Sequence, residues 1–299
     1  MLVEANCDVD KEDMNGNTAL LSCSQEGHQD CVELLLVAGA DCRVAAIGGQ
    51  NALHRACKYG RHLVVGRLLE GLSNIVGRNG ITVVLENNEL QPIFVNDTDN
   101  FGNTALILAV QEENHEVVEV LLANEAAVDK ANNNGQTALH AGASAGNSQI
   151  VQYLVDANVN VVNVTDNLGN TALILAVQEE NHEVVEVLLA NEAAVDKAND
   201  DGQTALHAGA SAGNSQIVQY LVDAKANLNI VCDEGESALI KATHQNHHEI
   251  VSILLSLNAD ATEIALGVAE EKQYSRIVSM IKQHHLVKMA SNLNIEDKF

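Results

Sequence analysis

The sequence predicts an all-α chain, a solenoid of stacked helix-turn-helix units joined by β-hairpin-like turns. Three observations carry that expectation. First, the thirty-one residues GNTALILAVQEENHEVVEVLLANEAAVDKAN begin at Gly102 and again at Gly169. Residues 102–157 and 169–224 differ only where Asn133 and Asn134 become Asp200 and Asp201. Second, Gly-x-Thr/Ser-Ala-Leu recurs at Gly16, Gly102, Gly135, Gly169, Gly202 and Gly235, and from Gly102 onward the intervals are 33, 34, 33 and 33 residues. A period near 33 is that of stacked supersecondary units. Third, aromatic residues make up 2% of the chain and Trp is absent. The core must then be built from Ala, Val, Leu and Ile, which suits thin layers of small helices.

Each unit justifies its elements in turn. In the unit that starts at Gly102, Thr104 stands where a helix N-cap accepts from otherwise unpaired amides. Leu106, Leu108, Ala109 and Val110 then form a short apolar stretch. After a polar break come Val117, Val118, Val120, Leu121 and Leu122. Both stretches have the i, i+3, i+4 spacing of helices two to three turns long. The strings DNFG and NNNG read as the turns between units.

These motifs resemble the ankyrin repeat family, whose pattern is roughly D-x-x-G-x-T-P-L-H-x-A-A-x-x-G-H-x-E-I-V-x-x-L-L-x-x-G-A-D. Residues 49–69, GQNALHRACKYGRHLVVGRLL, and 202–222, GQTALHAGASAGNSQIVQYLV, follow it. The resemblance covers nearly the whole chain. Two departures stand out: Ala replaces the family's Pro in every unit, and the His of the TPLH motif survives only at His54, His140 and His207. The resemblance implies that this His ties neighbouring units together, so the other junctions would rely more on apolar packing.

Full units are expected at 16–48, 49–82, 102–134, 135–168, 169–201, 202–234 and 235–262, stacked into one elongated array. Residues 1–15 look like the tail of an earlier repeat, which implies missing upstream sequence or a frayed end. Residues 263–286 read as a polar C-terminal capping repeat, carrying Glu270, Glu271, Lys272, Arg276 and Lys282, and 287–299 as a tail. The interval from Asn51 to Asn103 exceeds one repeat, which places an insertion near 81–100. Its ITVVLENNELQPIFV segment has the pattern of a hairpin, with Pro92 confining the second strand to an edge. That insertion is either a finger for a partner or a tolerated elongation.

Sixteen Lys+Arg against 41 Asp+Glu give a net charge of −25. Such a chain disfavours nucleic acid and anionic membrane surfaces, which attract cationic faces. The N-terminus has no signal-peptide pattern and no run of apolar residues is long enough to span a bilayer. The six cysteines show no CxxC pairing, in keeping with buried free thiols in a reducing compartment. A soluble cytoplasmic protein is expected.

Candidate chemistry is sparse. His115-Glu116-Val117-Val118-Glu119 starts like a zinc H-E-x-x-H motif, but Glu119 occupies the second ligand position. His244, His247 and His248 have helical spacing and no further ligand nearby in sequence, and His284-His285 is no better supplied. GASAGNS at 142–148 lacks the lysine of a phosphate loop. No catalytic residue, cofactor or metal is expected, and the chain reads as a non-enzyme.

The resemblance implies that a partner protein meets the turn tips and the exposed ends of the first helices, on a concave face. The tips are Asn100, Phe101 and Asn103; Asn133, Asn134 and Gln136; Asn167, Leu168 and Asn170; Asp200, Asp201 and Gln203; and Asp233, Glu234 and Glu236. The helix ends include Gln111-Glu112 and Gln178-Glu179, alternating with Ser144-Ala145 and Ser211-Ala212, where AGASAG would leave shallow gaps. Residues 102–201 hold 16 acidic side chains and two basic ones, Lys130 and Lys197, whereas 43–78 hold Arg43, Arg55, Lys58, Arg61, Arg67 and Arg78. The acidic stretch is either a solvated face or a trough for a basic, extended partner. The reading is a protein-protein interaction scaffold or adaptor, or alternatively the recognition arm of a larger, possibly enzymatic protein.

Overall fold

The structure, a computed structural model, describes residues 8–70, 95–260 and 263–296, the side chains of 291–296 excepted. The expected hairpin finger and Arg78 lie outside the described residues, apart from Val95. The chain divides into two compact units, residues 1–161 and 162–299.

The first unit contains α1 (Ala19–Glu26), α2 (Gln29–Val37), α3 (Ala52–Lys58), α4 (His62–Glu70), α5 (Ala105–Gln111), α6 (His115–Ala123), α7 (Ala138–Ala145) and α8 (Ser148–Ala157), followed by a 3-10 turn at Val159–Val161. The second contains α9 (Ala172–Gln178), α10 (His182–Ala190), α11 (Ala205–Ala212), α12 (Ser215–Asp223), α13 (Ala238–His244), α14 (His248–Ser256), α15 (Glu263–Glu271) and α16 (Ser275–Glu296). Within each unit the helices form two layers. The first helices of successive repeats pack in one row (α1, α3, α5 and α7; α9, α11, α13 and α15), and the second helices pack in another.

The apolar spacing explains the layers. Every residue from Ala105 to Val110 is buried, because α5 lies between its neighbours α3 and α7 and its own partner α6. In α6 only Val117, Val118 and Leu121 are buried, while Glu116 and Glu119 face water, so that helix forms the outer layer. Thr104 caps α5 as its position implies, its Oγ1 accepting from Ile107 N at 3.2 Å. Thr171 repeats this on α9 at 3.3 Å. In α7, Gly142 is needed for packing: a Cβ there would meet Val151 Cγ2 at 3.1 Å and Val110 Cγ1 at 3.4 Å. The small residues of AGASAG thus admit close helix contact, and in the 141–146 copy only Ser144 and Ala145 are exposed.

His54 and His207 show how repeats are tied. His54 Nδ1 accepts from Asn51 N at 3.3 Å and its Nε2 lies 3.0 Å from Asp97 O. His207 holds Thr204 N at 3.1 Å and reaches Glu236 O at 3.1 Å. Each imidazole thereby caps its own helix and bonds the next repeat.

At the C-terminal end, α15 and α16 cover α13 and α14, burying Ala265, Ala269, Ile277 and Ile281. Glu270 on the outside pairs with Lys282 at 2.7 Å. Helix α16 continues through 287–296, where a tail was expected. No Gly or Pro follows Gly267 to stop it. Among the described residues, no helix is long and apolar enough to cross a membrane. Five described cysteines are free thiols; Cys57 and Cys232 are buried, but Cys31 is exposed and Cys23 and Cys42 are half-buried. The expectation of buried thiols thus holds for two of them.

Candidate interaction surface

Five of the turns are organised by one Asp or Asn side chain each, whereas those that begin at Ala46 and Cys232 close through main-chain bonds. Asp99 Oδ1 accepts from Phe101 N and Asn103 N, both at 2.9 Å, and Asp99 N donates to Asn103 O at 3.0 Å. Gly102 closes the turn at φ +77°, a conformation that glycine adopts without a steric penalty. Asn132, Asp166 and Asn199 organise their turns in the same way. Isolated antiparallel bridges, such as Thr98 with Thr104 and Thr165 with Thr171, complete the hairpin-like tips.

Neighbouring tips are laced by main-chain bonds within each unit. In the first, Asn100 N donates to Gly48 O at 3.0 Å and Asn133 N to Phe101 O at 3.0 Å. In the second, Asp200 N donates to Leu168 O at 3.1 Å and Asp233 N to Asp201 O at 3.1 Å. A bonded row of tips is preorganised, so a ligand that meets it loses little to ordering of the protein.

The residues singled out from sequence separate into three groups. Asn100, Phe101, Gln111, Glu112, Asn133 and Asn134 are exposed in the first unit; Asn167, Leu168, Gln178, Glu179, Asp200, Asp201, Asp233 and Glu234 are exposed in the second. Gln136, Gln203 and Glu236 are half-buried. Asn103 and Asn170 are buried, and both join tips: Asn132 Nδ2 donates to Asn103 Oδ1, and Asn199 Nδ2 to Asn170 Oδ1, each at 3.0 Å. These two asparagines hold the turns rather than present a surface.

Charge is also unevenly free. Glu112, Glu179, Asp200 and Asp201 form no side-chain bond or ion pair with the described residues. Glu234 and Glu236 differ, because Lys241 Nζ lies 2.6 Å from the first and 3.0 Å from the second. His244 Nε2 stands 3.0 Å from Glu236 as well. Burial disfavours the Lys241 ammonium, but the two carboxylates more than offset that and hold it above the ordinary lysine range. Lys241 was missed in the sequence; its signal was a lone cation one helix turn beyond two tip acids. At the other suspected chemistry, His115 Nε2 lies 2.9 Å from Asn147 Nδ2, and His182 Nε2 lies 3.0 Å from Asn214 Nδ2. Both histidines link outer helices. Among the described residues, no three His, Cys, Asp or Glu side chains converge to hold a metal.

Short helix pairs in two layers, with a bonded row of projecting tips within each unit, define an all-α repeat protein. The chain belongs to the ankyrin repeat family: a family model for ankyrin repeats in three copies matches residues 1–79, 78–163, 126–199 and 158–232, and one for many copies matches 217–255. Among curated proteins it is similar to the potassium channel AKT2/3 of Arabidopsis thaliana, 28% identical over 139 residues. That match covers 42% of this chain and 17% of the channel. Among solved structures it is similar to the human ASB11 ankyrin repeat domain, with 26% identity and a TM-score of 0.61, covering 76% of this chain and 92% of that one.

Proposed function

We propose that this chain is a non-catalytic adaptor whose tips and first-helix ends capture a basic, extended segment of another protein. Ankyrin repeats are generally protein-protein interaction modules, and the finer reading rests on one observation. Glu112, Glu179, Asp200 and Asp201 are exposed, on tips or first-helix ends, without internal cations to neutralise them. The chain needs no cofactor for such work, and the cytoplasm would suit it. Affinity capture in parallel with the wild-type protein and with Glu112→Gln, Glu179→Gln, Asp200→Asn and Asp201→Asn combined tests the reading. Basic proteins retained by the first and depleted on the second are expected. The same captured set on both would leave the acidic residues as a solubilising face.

A second reading is the recognition arm of a larger protein. It is favoured by the curated relative, whose matching segment occupies only 17% of its length. Sequencing the full transcript decides it, through the presence or absence of a further domain in the same reading frame.

A further inference from the structure

The repeat at 16–48 brings two thiols together. Cys23 lies in the last turn of α1 and Cys31 in the first turn of α2. Gly27 joins the helices at φ +82°, and its N–H donates to Cys23 O at 3.0 Å, so the chain folds back at Cys23 itself. The two side chains hydrogen-bond each other. Burial, and Cys31 beside it, raise the Cys23 thiol above its ordinary value.

The same two places touch in the other repeats. Cys23 stands five residues after the N-cap Thr18, and Cys31 thirteen. Counted from Thr204, those places are Gly209 and Ile217, and a Cβ on Gly209 would meet Ile217 Cγ2 at 3.7 Å. In the other described repeats the pair is apolar and buried, as in Ala56 with Val64 and Ala109 with Val117. The fold therefore asks only for a small residue against a branched one. The repeat at 16–48 puts thiols at both places, with Cys31 exposed and Cys23 half-buried.

We propose that Cys23 and Cys31 form a reversible disulfide that staples α1 to α2 when the chain meets a peroxide. Cys31, the exposed thiol, meets the oxidant first. Its thiolate attacks one peroxide oxygen, the O–O bond breaks, and the departing hydroxide leaves as water with the thiol's proton. Cys23 sulfur then attacks the Cys31 sulfenic sulfur. The S–S bond forms, the S–O bond breaks, and a second water carries off the Cys23 proton. Two thiols have lost two electrons and the peroxide has gained them. A reducing compartment returns the pair to thiols by exchange, so the bond is transient. While it lasts, it closes the α1–α2 connection and restrains both helices from fraying.

The whole protein, treated with hydrogen peroxide at a dose that leaves buried Cys57 reduced, tests it. Remaining thiols are blocked, and trypsin with a protease that cuts after glutamate separates Cys23, Cys31 and Cys42 at Glu26 and Glu33. The Cys23 and Cys31 peptides should be recovered joined, and dithiothreitol should release them. Cys23→Ala, the residue of other repeats, should leave Cys31 as a sulfenic acid that dimedone traps. Cys31→Val should leave Cys23 reduced. Amide exchange over 19–37 should slow about tenfold on oxidation and recover with dithiothreitol. A bond from Cys31 to Cys42 or to a second copy of the chain would overturn the inference. So would over-oxidation of Cys31 beside a free Cys23, no reaction at either thiol, or a linkage that leaves amide exchange unchanged.

Discussion

His54 Nε2 lies 3.0 Å from the main-chain oxygen of Asp97, forty-three residues further along the chain. Helices α3 and α5 pack directly on each other, so residues 49–70 and 95–123 behave as consecutive repeats. Asn96 Oδ1 accepts from Ala127 N at 2.8 Å, as Asn229 Oδ1 accepts from Asp260 N at 3.0 Å in the second unit. In that second unit, Ala224–Asn227 cover the interval that 71–94 cover in the first. Replacing 71–94 by Ala-Lys-Ala-Asn should therefore leave the helical circular dichroism per residue and the thermal midpoint nearly unchanged. Loss of cooperative unfolding in the first unit would contradict this.

Leu121 and Leu188 are fully buried in α6 and α10. Leu121→Ala should cost about 2–5 kcal/mol and Leu188→Ala the same. Repeats contact only their neighbours, so the damage should stay local. Hydrogen exchange should show the first variant losing protection in residues 95–161 and the second in 162–260. Equal loss throughout the chain would count against independent units.

Glu125 and Glu192 hold left-handed backbone at φ +60° and +61°, where Gly39 stands in the first repeat at +88°. A side chain in that region costs about 1–2 kcal/mol, part of which glycine returns through its freer unfolded state. Glu125→Gly and Glu192→Gly should each stabilise by about 0.5–1 kcal/mol in urea titrations. A fall in the urea midpoint would show that the left-handed turn carries no strain.

Burial holds the His54 and His207 imidazoles below their ordinary value of 6.5. Unfolding exposes them, so below pH 6.5 the unfolded chain binds more protons and gains on the folded one. The stability is complete above 6.5 and is lost as pH falls through the depressed folded values. Urea midpoints should decline from pH 7.5 to 5.5, and His54→Gln with His207→Gln should flatten that decline. A slope unaltered in the double variant would place the titration elsewhere.

The sequence shows its helices clearly because each apolar stretch has one period and most turns carry an Asx-x-x-Gly signal, as Thr104 and Asp99 illustrate, although Ala46 and Cys232 take the Asx place in two of them. The surface is harder to read. Asn103 and Asn133 look alike in a tip motif, yet Asn103 is buried and accepts from Asn132, whereas Asn133 is exposed and donates to the main-chain oxygen of Asn100. Glu234 and Asp201 look equally acidic, but only Glu234 has Lys241 beside it. Which side of a turn a residue takes depends on the neighbouring repeat, and local spacing does not encode that.

If the free carboxylates steer a basic partner, association kinetics are where the effect is read most directly. A single screened pair is worth at most about 1 kcal/mol, so the effect belongs mainly to encounter rate. The partner recovered by capture should be mixed by stopped flow with wild-type protein and with the Glu112→Gln, Glu179→Gln, Asp200→Asn, Asp201→Asn variant. At low ionic strength the variant should associate roughly tenfold more slowly, and the difference should shrink as salt is added. Equal association rates at low salt, with the fold intact, would contradict the account.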